Sequence, residues 1–221
     1  HLKSEDYLTG KIKDMDALYK GKSVVENFNA ITLTKLYAEK SIVIDEVLEE
    51  NPGFTPFPNS YYVLKSEKSS GLAYYNALDK TLDHVEKRSV YGIKPRNAEQ
   101  AFAIHAILNP NVKLVSLTGV AGTGKTLIAL AASLEQRRDF KQIYLARPIV
   151  PLSNRDLGYL PGDAKEKINP YMQPLWDNLK LIKNTFSDRD KEYKQLEAMV
   201  EKEKIIITPL AYIRGRSLAD I

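Results

Sequence analysis

The chain has 221 residues, 43% of them hydrophobic, and a formal net charge of +4. This length and apolar content indicate a globular protein with one large domain or two modest ones. The absence of cysteine excludes disulfides and thiolate metal sites. No apolar run reaches the roughly 18 residues that suggest a membrane span, so we expect a cytoplasmic protein without a membrane partner.

Residues 1–90 are predicted to form a small β-rich connector domain. Short hydrophobic runs separated by turn residues indicate strands at 30–33, 60–64 and 72–75, of which the last two flank a polar hairpin tip. Residues 41–48 fit either a strand or a short helix. Three prolines within residues 51–59 exclude regular structure there.

Aromatic side chains are frequent in this first region, and they include Phe54, Phe57, Tyr61, Tyr62, Tyr74 and Tyr75. Two interpretations are open. The rings fill a small core, which we favour, or tyrosines displayed on a small β-barrel stack on nucleic-acid bases.

Residues 91–221 have the pattern of an α/β domain. Strands are predicted at 113–118, 142–146 and 204–208, and helices at 97–108, 126–138, 165–182 and 188–202. Strands that alternate with helices predict a mostly parallel sheet with helices on both faces. This region also holds the chain's excess of Lys and Arg over Asp and Glu, which suits a polyanionic partner, although residues of a phosphate site account for part of it.

A phosphate-binding loop is predicted between the strand at 113–118 and the helix that follows. The octet fits G-x-x-x-x-G-K-[ST] at every position and comprises Gly119, Val120, Ala121, Gly122, Thr123, Gly124, Lys125 and Thr126. Glycines allow the backbone N–H groups to turn inward around a phosphate, and the helix N-terminus adds partial positive charge. We expect Lys125 to reach the β- and γ-phosphates of ATP and the Thr126 hydroxyl to bind Mg²⁺. The alternative is a glycine-rich turn with a coincidental lysine.

Four blocks of residues 91–221 carry a resemblance to a known family. They are residues 92–100, the octet, residues 146–148 with 157–163, and residues 209–218. In this order and spacing they closely resemble the PhoH family of P-loop ATPases, which is related to superfamily 1 helicases. The resemblance implies a P-loop NTPase fold, ATP and Mg²⁺ as cofactors, single-stranded RNA as a partner, and a homo-oligomer in which a neighbour supplies an arginine.

The resemblance also gives roles to residues outside the octet. Asn97 and Gln100 match the Asn-x-x-Gln spacing of a Q-motif, whose glutamine reads the adenine edge with its amide donor and acceptor. The alternative is an ordinary helix start with Asn97 as its N-cap. Arg147, Arg214 and Arg216 are candidates for contacts with phosphate or nucleic acid, and the alternative for them is a surface role.

One catalytic element of the family lies beyond the matching blocks. The family's Walker B strand, which ends in Asp-Glu, is expected to begin at about Ile221, so we expect this chain to bind nucleotide and to hydrolyse it poorly. Asp45-Glu46 mimics Walker B but precedes the octet, and we interpret it as a coincidence. Residues 1–90 resemble the connector of longer members that carry a PIN ribonuclease domain, which is expected upstream of His1.

The favoured function is therefore an ATPase domain whose parent protein acts on RNA as a helicase or translocase. The main alternative is a nucleotide-gated module that changes assembly or RNA affinity without translocation. A small-molecule kinase is a third hypothesis, but the sequence offers no acceptor pocket or catalytic aspartate after the octet that supports it.

Overall fold

The computed structural model describes residues 20–149, 164–219 and 221. The chain divides into two compact units, the first ending at Glu86 and the second beginning at Lys87. The sequence block at 157–163 lies outside the described residues. No helix within the described ranges is long and apolar enough to cross a membrane.

The described part of the first unit contains a five-stranded sheet and two helices. The elements are β1 (Lys22–Val25), α1 (Ala30–Glu39), β2 (Ser41–Val43), α2 (Ile44–Glu50), β3 (Tyr61–Lys65), β4 (Ser70–Asn76) and β5 (Thr81–His84). The sheet has the order β1-β3-β4-β5-β2, in which β1 is parallel to β3 and the other neighbours are antiparallel. The helices contribute Leu33, Leu36 and Val47 to the hydrophobic core of this unit.

The strand predicted at residues 30–33 is wrong, because these residues begin helix α1. The Asn29 side-chain oxygen accepts hydrogen bonds from the N–H groups of Ile31 (2.8 Å) and Thr32 (3.1 Å), which starts the helix. Leu33 and Leu36 are then buried one turn apart. A short, mostly hydrophobic run resembles a strand when it is considered alone, whereas the cap and the helical spacing of the buried residues decide the outcome.

The hairpin prediction is confirmed, since β3 and β4 pair antiparallel with Tyr61 opposite Tyr74 and Lys65 opposite Ser70. The ambiguous segment at 41–48 contains both alternatives: β2 runs directly into α2. Asp45 and Glu46 lie in the first turn of α2, and Glu46 forms an ion pair with Lys35. These two carboxylates are thus part of a helix start in the first unit, as their position before the octet indicated.

The aromatic residues of the first unit mainly form core. Tyr62 and Phe54 are buried with ring centroids 4.9 Å apart, and Tyr61 and Tyr74 are buried as a cross-strand pair at 5.0 Å. Phe57 is exposed. The core interpretation is therefore confirmed for these four rings, which are not available for base stacking.

The described part of the second unit contains four α-helices, two strands and a short 3-10 helix. They are α3 (Ala98–Leu108), α4 (Lys125–Glu135), β6 (Ile143–Arg147), α5 (Ala164–Lys183), α6 (Lys191–Glu201), β7 (Ile205–Pro209) and the 3-10 helix at Leu210–Tyr212. Helices α3 and α4 pack on each other, α5 packs on α4, and both α5 and α6 pack against β7. Strands β6 and β7 are parallel, with Ile143 opposite Ile205.

The four predicted helices of this region and two of its three predicted strands are confirmed, but the strand at residues 113–118 is wrong. This segment has no regular secondary structure and no strand pairing, and Leu114 is 88% exposed. A strand requires a neighbouring backbone for its N–H and C=O groups. In the described part of the second unit, β6 and β7 pair with each other and no strand lies beside residues 113–118. The predicted mostly parallel sheet is therefore observed as a two-stranded parallel sheet.

Candidate functional site

The loop before α4 has the backbone conformation that its glycines predict. Gly119, Gly122 and Gly124 have φ values of 145°, 79° and 81°, all in the region that other residues rarely adopt. Gly124 is the N-cap of α4, and its carbonyl accepts the first helical hydrogen bond from the Ile128 N–H at 2.9 Å. The octet therefore turns directly into the N-terminus of a helix.

The Lys125 ammonium group is held by the loop itself. Its Nζ donates to the carbonyl oxygens of Gly119 (3.0 Å) and Val120 (2.8 Å) and to the Thr123 hydroxyl (3.2 Å). The Thr123 hydroxyl in turn donates to the Val120 carbonyl at 3.0 Å. The positive charge of Lys125 thus lies within the loop, in front of the N-terminus of α4.

The N-terminus of α4 suits an anion. The first N–H groups of a helix have no intrahelical acceptor, and they carry partial positive charge. Gly124 supplies no capping side chain, and the first turn of α4 contains no acidic residue. Thr126 is exposed in this first turn. Lys125, Thr126 and the loop N–H groups therefore fit a phosphate group with an associated Mg²⁺, an ion that takes oxygen ligands.

No cluster of three or more His, Cys, Asp or Glu side chains that could hold a metal ion occurs in the described ranges. The Thr126 hydroxyl is an oxygen donor of the kind that Mg²⁺ binds together with phosphate oxygens.

Asn97 and Gln100 lie beside the loop, and each has a structural contact. Asn97 is the N-cap of α3, and its side-chain oxygen accepts from the Gln100 N–H at 2.8 Å. The Gln100 Oε1 accepts from the Arg96 N–H at 2.8 Å, and its Nε2 donates to the Thr123 carbonyl at 3.2 Å. The helix-start interpretation of Asn97 is confirmed, and Gln100 is brought to the phosphate loop.

The three candidate arginines lie at the carboxyl ends of the two strands. Arg147 ends β6 opposite Pro209, and Arg214 and Arg216 follow the 3-10 helix; all three are exposed. The Arg216 guanidinium donates to the Tyr144 hydroxyl at 3.4 Å and lies 5.6 Å from the Tyr144 ring centroid. Among the described residues, no hydrogen bond or ion pair joins these arginines to the octet.

A cluster at the far end of α4 was not predicted from the sequence. The Tyr91 N–H donates to Glu135 at 3.1 Å, the Tyr91 hydroxyl donates to the Glu192 carbonyl at 3.2 Å, and the Arg137 guanidinium lies 4.8 Å from the Tyr91 ring. Burial raises the pKa of Tyr91, which the neighbouring Arg137 partly offsets. This cluster holds the segment before α3 against the end of α4. Its sequence signal is the glycine at position 92, which permits a left-handed turn.

The comparisons with known proteins agree with the sequence resemblance. The family described as PhoH-like protein matches residues 92–221. Protein PhoH2 of Bacillus subtilis (strain 168) is 36% identical over 229 aligned residues, which cover 99% of this chain and 49% of that protein. Protein PhoH2 of Mycolicibacterium smegmatis is 36% identical over 155 residues, covering 69% of this chain and 34% of that protein.

A second kind of relative is similar over a shorter range. A PhoH-like protein of Bacillus subtilis (strain 168) is 32% identical over 163 residues, which cover 72% of this chain and 47% of that protein. The chain spans about half or less of the length of these curated relatives. No solved structure matches it.

Proposed function

Because the chain belongs to the PhoH-like family, we propose that residues 119–126 bind the phosphates of ATP and that the whole protein is an RNA-directed ATPase. The observation that carries the nucleotide site is the position of the Lys125 ammonium, 2.8–3.2 Å from three oxygens of a glycine loop at a helix N-terminus. This arrangement combines a cation, backbone donors and the positive end of α4 at one place.

The residues take the following roles in this proposal. The Lys125 ammonium exchanges its loop carbonyls for the β- and γ-phosphate oxygens, and the N–H groups of the loop donate to the same phosphates. The Thr126 hydroxyl, exposed in the first turn of α4, is the protein ligand of Mg²⁺. The ion neutralises phosphate charge when it is bound. Gln100 uses its second amide hydrogen and its second oxygen lone pair for the adenine edge.

Calorimetric titration of ATP with Mg²⁺ tests the phosphate site. A charge-assisted hydrogen bond contributes about 1.5–3 kcal/mol, so Lys125→Ala should weaken ATP binding about 10- to 100-fold. Lys180→Ala is the matched control, because it removes the same group from an exposed position on α5. Equal ATP affinity in Lys125→Ala and the wild type would refute the site.

The base preference is a separate part of the proposal. A glutamine that donates to and accepts from the adenine edge cannot make the same pair of bonds with guanine. We therefore expect tighter binding of ATP than of GTP in the same titration. Equal affinities for the two nucleotides would remove adenine recognition and leave the phosphate site intact.

The proposed RNA surface consists of residues at and just after the carboxyl ends of β6 and β7. Arg147, Arg214 and Arg216 are exposed there, and the Tyr212 side chain is 55% exposed beside them in sequence. Guanidinium groups bind the backbone phosphates of nucleic acid, and exposed aromatic rings stack on unpaired bases. A single-stranded RNA partner therefore suits this surface, and the excess of Lys and Arg in the second unit adds to it.

Hydrolysis assays separate this proposal from its alternative. ATP turnover should be measured with and without single-stranded RNA in a form that includes the Walker B segment expected after Ile221. Turnover that depends on Lys125, rises with RNA and loses that rise in Arg214→Ala/Arg216→Ala supports the RNA-directed ATPase. Turnover that depends on Lys125 but ignores RNA favours a nucleotide-gated module. Light scattering with and without ATP tests the proposed homo-oligomer.

A further inference from the structure

The side chain of Gln100 connects the start of α3 with the phosphate loop. The two ends of its amide bind different partners: Oε1 accepts from the Arg96 N–H at 2.8 Å, and Nε2 donates to the Thr123 carbonyl at 3.2 Å. The first bond joins the side chain to the residue before the N-cap Asn97, one residue earlier than in a capping box. With its oxygen fixed on Arg96, the amide has its nitrogen directed to the loop.

The loop accommodates this contact through Gly124. A Cβ at residue 124 would lie 3.3 Å from the Gln100 Nε2, closer than most side chains approach. Gly124 also has a φ of 81°, so two independent constraints favour glycine here. The third glycine of the octet therefore permits the approach of Gln100 as well as the turn into α4.

Thr123 contacts both Gln100 and Lys125. Its backbone carbonyl accepts from Gln100, and its hydroxyl accepts from the Lys125 Nζ at 3.2 Å. In a trans peptide the C=O and the following N–H point in opposite directions. A donor fixed on the Thr123 carbonyl therefore also fixes the Gly124 N–H on the side away from Gln100, in a loop whose glycines would otherwise allow the peptide to rotate.

We propose that Gln100 is a positioning residue that holds the Thr123–Gly124 peptide of the phosphate loop in its binding orientation, independently of any contact with the base. This rests on the proposed nucleotide site, because it assigns the loop a phosphate ligand. The positioning role concerns the phosphates of the ligand, whereas adenine recognition concerns the base. In the positioning role, Gln100 contributes to the binding of any polyphosphate, with or without a base.

The test compares three ligands in calorimetric titrations with Mg²⁺: ATP, GTP and inorganic tripolyphosphate. Gln100→Met keeps the length of the side chain and removes both hydrogen bonds. It should weaken all three ligands about fivefold, the change that corresponds to one hydrogen bond of about 1 kcal/mol. If Gln100→Met weakens ATP more than GTP and tripolyphosphate, the additional loss of affinity measures the contribution of adenine recognition. Unchanged tripolyphosphate affinity would overturn the positioning role.

Gln136→Met is the matched control. Gln136 also donates through Nε2 to a backbone carbonyl, that of Ile107 at 3.0 Å, and it joins the other end of the same helix pair. The variant therefore makes the same chemical change between α3 and α4 without touching the loop. If it weakens tripolyphosphate as much as Gln100→Met does, general loosening of the helices explains the effect and the positioning role fails.

Hydrogen exchange on the ligand-free protein gives a second readout. Gln100→Met should accelerate exchange in the peptides that cover residues 119–126, whereas Gln136→Met should not. If the wild type binds none of the three ligands, the proposed function fails. The positioning role is then decided by exchange alone, and equal exchange of the loop in Gln100→Met and the wild type overturns it.

Discussion

Replacing Gly92 with alanine tests how the chain is held at the start of the PhoH-like region. Gly92 has a φ of 79° and follows Tyr91, itself at 41°. An alanine Cβ would lie 2.1 Å from the Thr185 Oγ1 and 3.0 Å from the Phe186 Cζ. Both atoms belong to the connection that follows α5, so the substitution affects the backbone conformation and the packing at the same place.

The two effects can be estimated separately. A left-handed backbone costs an L-residue about 1–2 kcal/mol relative to glycine. The exposed Thr185 side chain can rotate away, but it then loses its hydrogen bond to the Ile182 carbonyl at 2.7 Å, which adds about 1 kcal/mol. Contact with the Phe186 ring adds a smaller overpacking term. We expect Gly92→Ala to lower the free energy of unfolding by about 2–4 kcal/mol.

Urea unfolding followed by tryptophan fluorescence measures this loss. The chain has one tryptophan, Trp176, and it lies in α5, so the signal reports the second unit. Gly215→Ala is the control, since Gly215 has nearly the same φ of 78° and a Cβ there would meet nothing within 4 Å. Gly215→Ala should lower the free energy of unfolding by the cost of the left-handed backbone alone, about 1–2 kcal/mol.

A double-mutant cycle completes the experiment. Thr185→Ala removes the atom nearest to the new Cβ, so Gly92→Ala should be less destabilising in that background than in the wild type. Equal losses in the two backgrounds, or a loss in Gly92→Ala no larger than in Gly215→Ala, would show that the contact with Thr185 is not what Gly92 provides.

Three further predictions concern stability. Burial, with a smaller effect of Lys40, lowers the pKa of His84. Below about pH 6.5 the unfolded chain therefore binds more protons than the folded chain. The free energy of unfolding should fall as the pH decreases through this range. His84→Phe should flatten this dependence in urea titrations followed by circular dichroism, and an unchanged slope would exclude His84 as its source. Asn29→Ala should cost about 1 kcal/mol through loss of the α1 cap, and Asn29→Ser should restore most of it if the cap is the cause. Tyr91→Phe should cost about 1 kcal/mol by Trp176 fluorescence, because only the bond to the Glu192 carbonyl is lost; no loss would mean that water replaces that bond.

The parts of the fold that could be predicted from sequence depend on local signals. Asn97 caps α3 through a bond to Gln100 three residues later, and the glycines of the octet require left-handed backbone. Both signals lie within a few residues of the structure they determine. The helix boundaries of the second unit, to within a few residues, and the conformation of the phosphate loop were therefore predictable. So was the hairpin of β3 and β4, whose strands are separated by a short polar turn.

The error at residues 30–33 arose although its cap, Asn29, is adjacent in sequence. The error at residues 113–118 arose where a partner distant in sequence decides the structure. Residues 113–118 have the apolar content of a strand, but strand formation depends on a neighbouring backbone that the segment itself does not specify. The contact of Gln100 with Thr123 spans 23 residues, and that of Tyr91 with Glu192 spans 101. The sequence indicates a role for Gln100 but none for Tyr91, and only the packing of the helices shows which carbonyl each one reaches.

The phosphate loop depends on more than its own eight residues. Gln136 joins the carboxyl end of α3 to the end of α4, and Gln100 joins the start of α3 to the loop that enters α4. With α3 and α4 packed on each other, the orientation of the Thr123 carbonyl follows from the position of α3. A glycine loop bound only at its helix would be free to reorient this peptide. The conformation of the octet is thus a property of the helix pair.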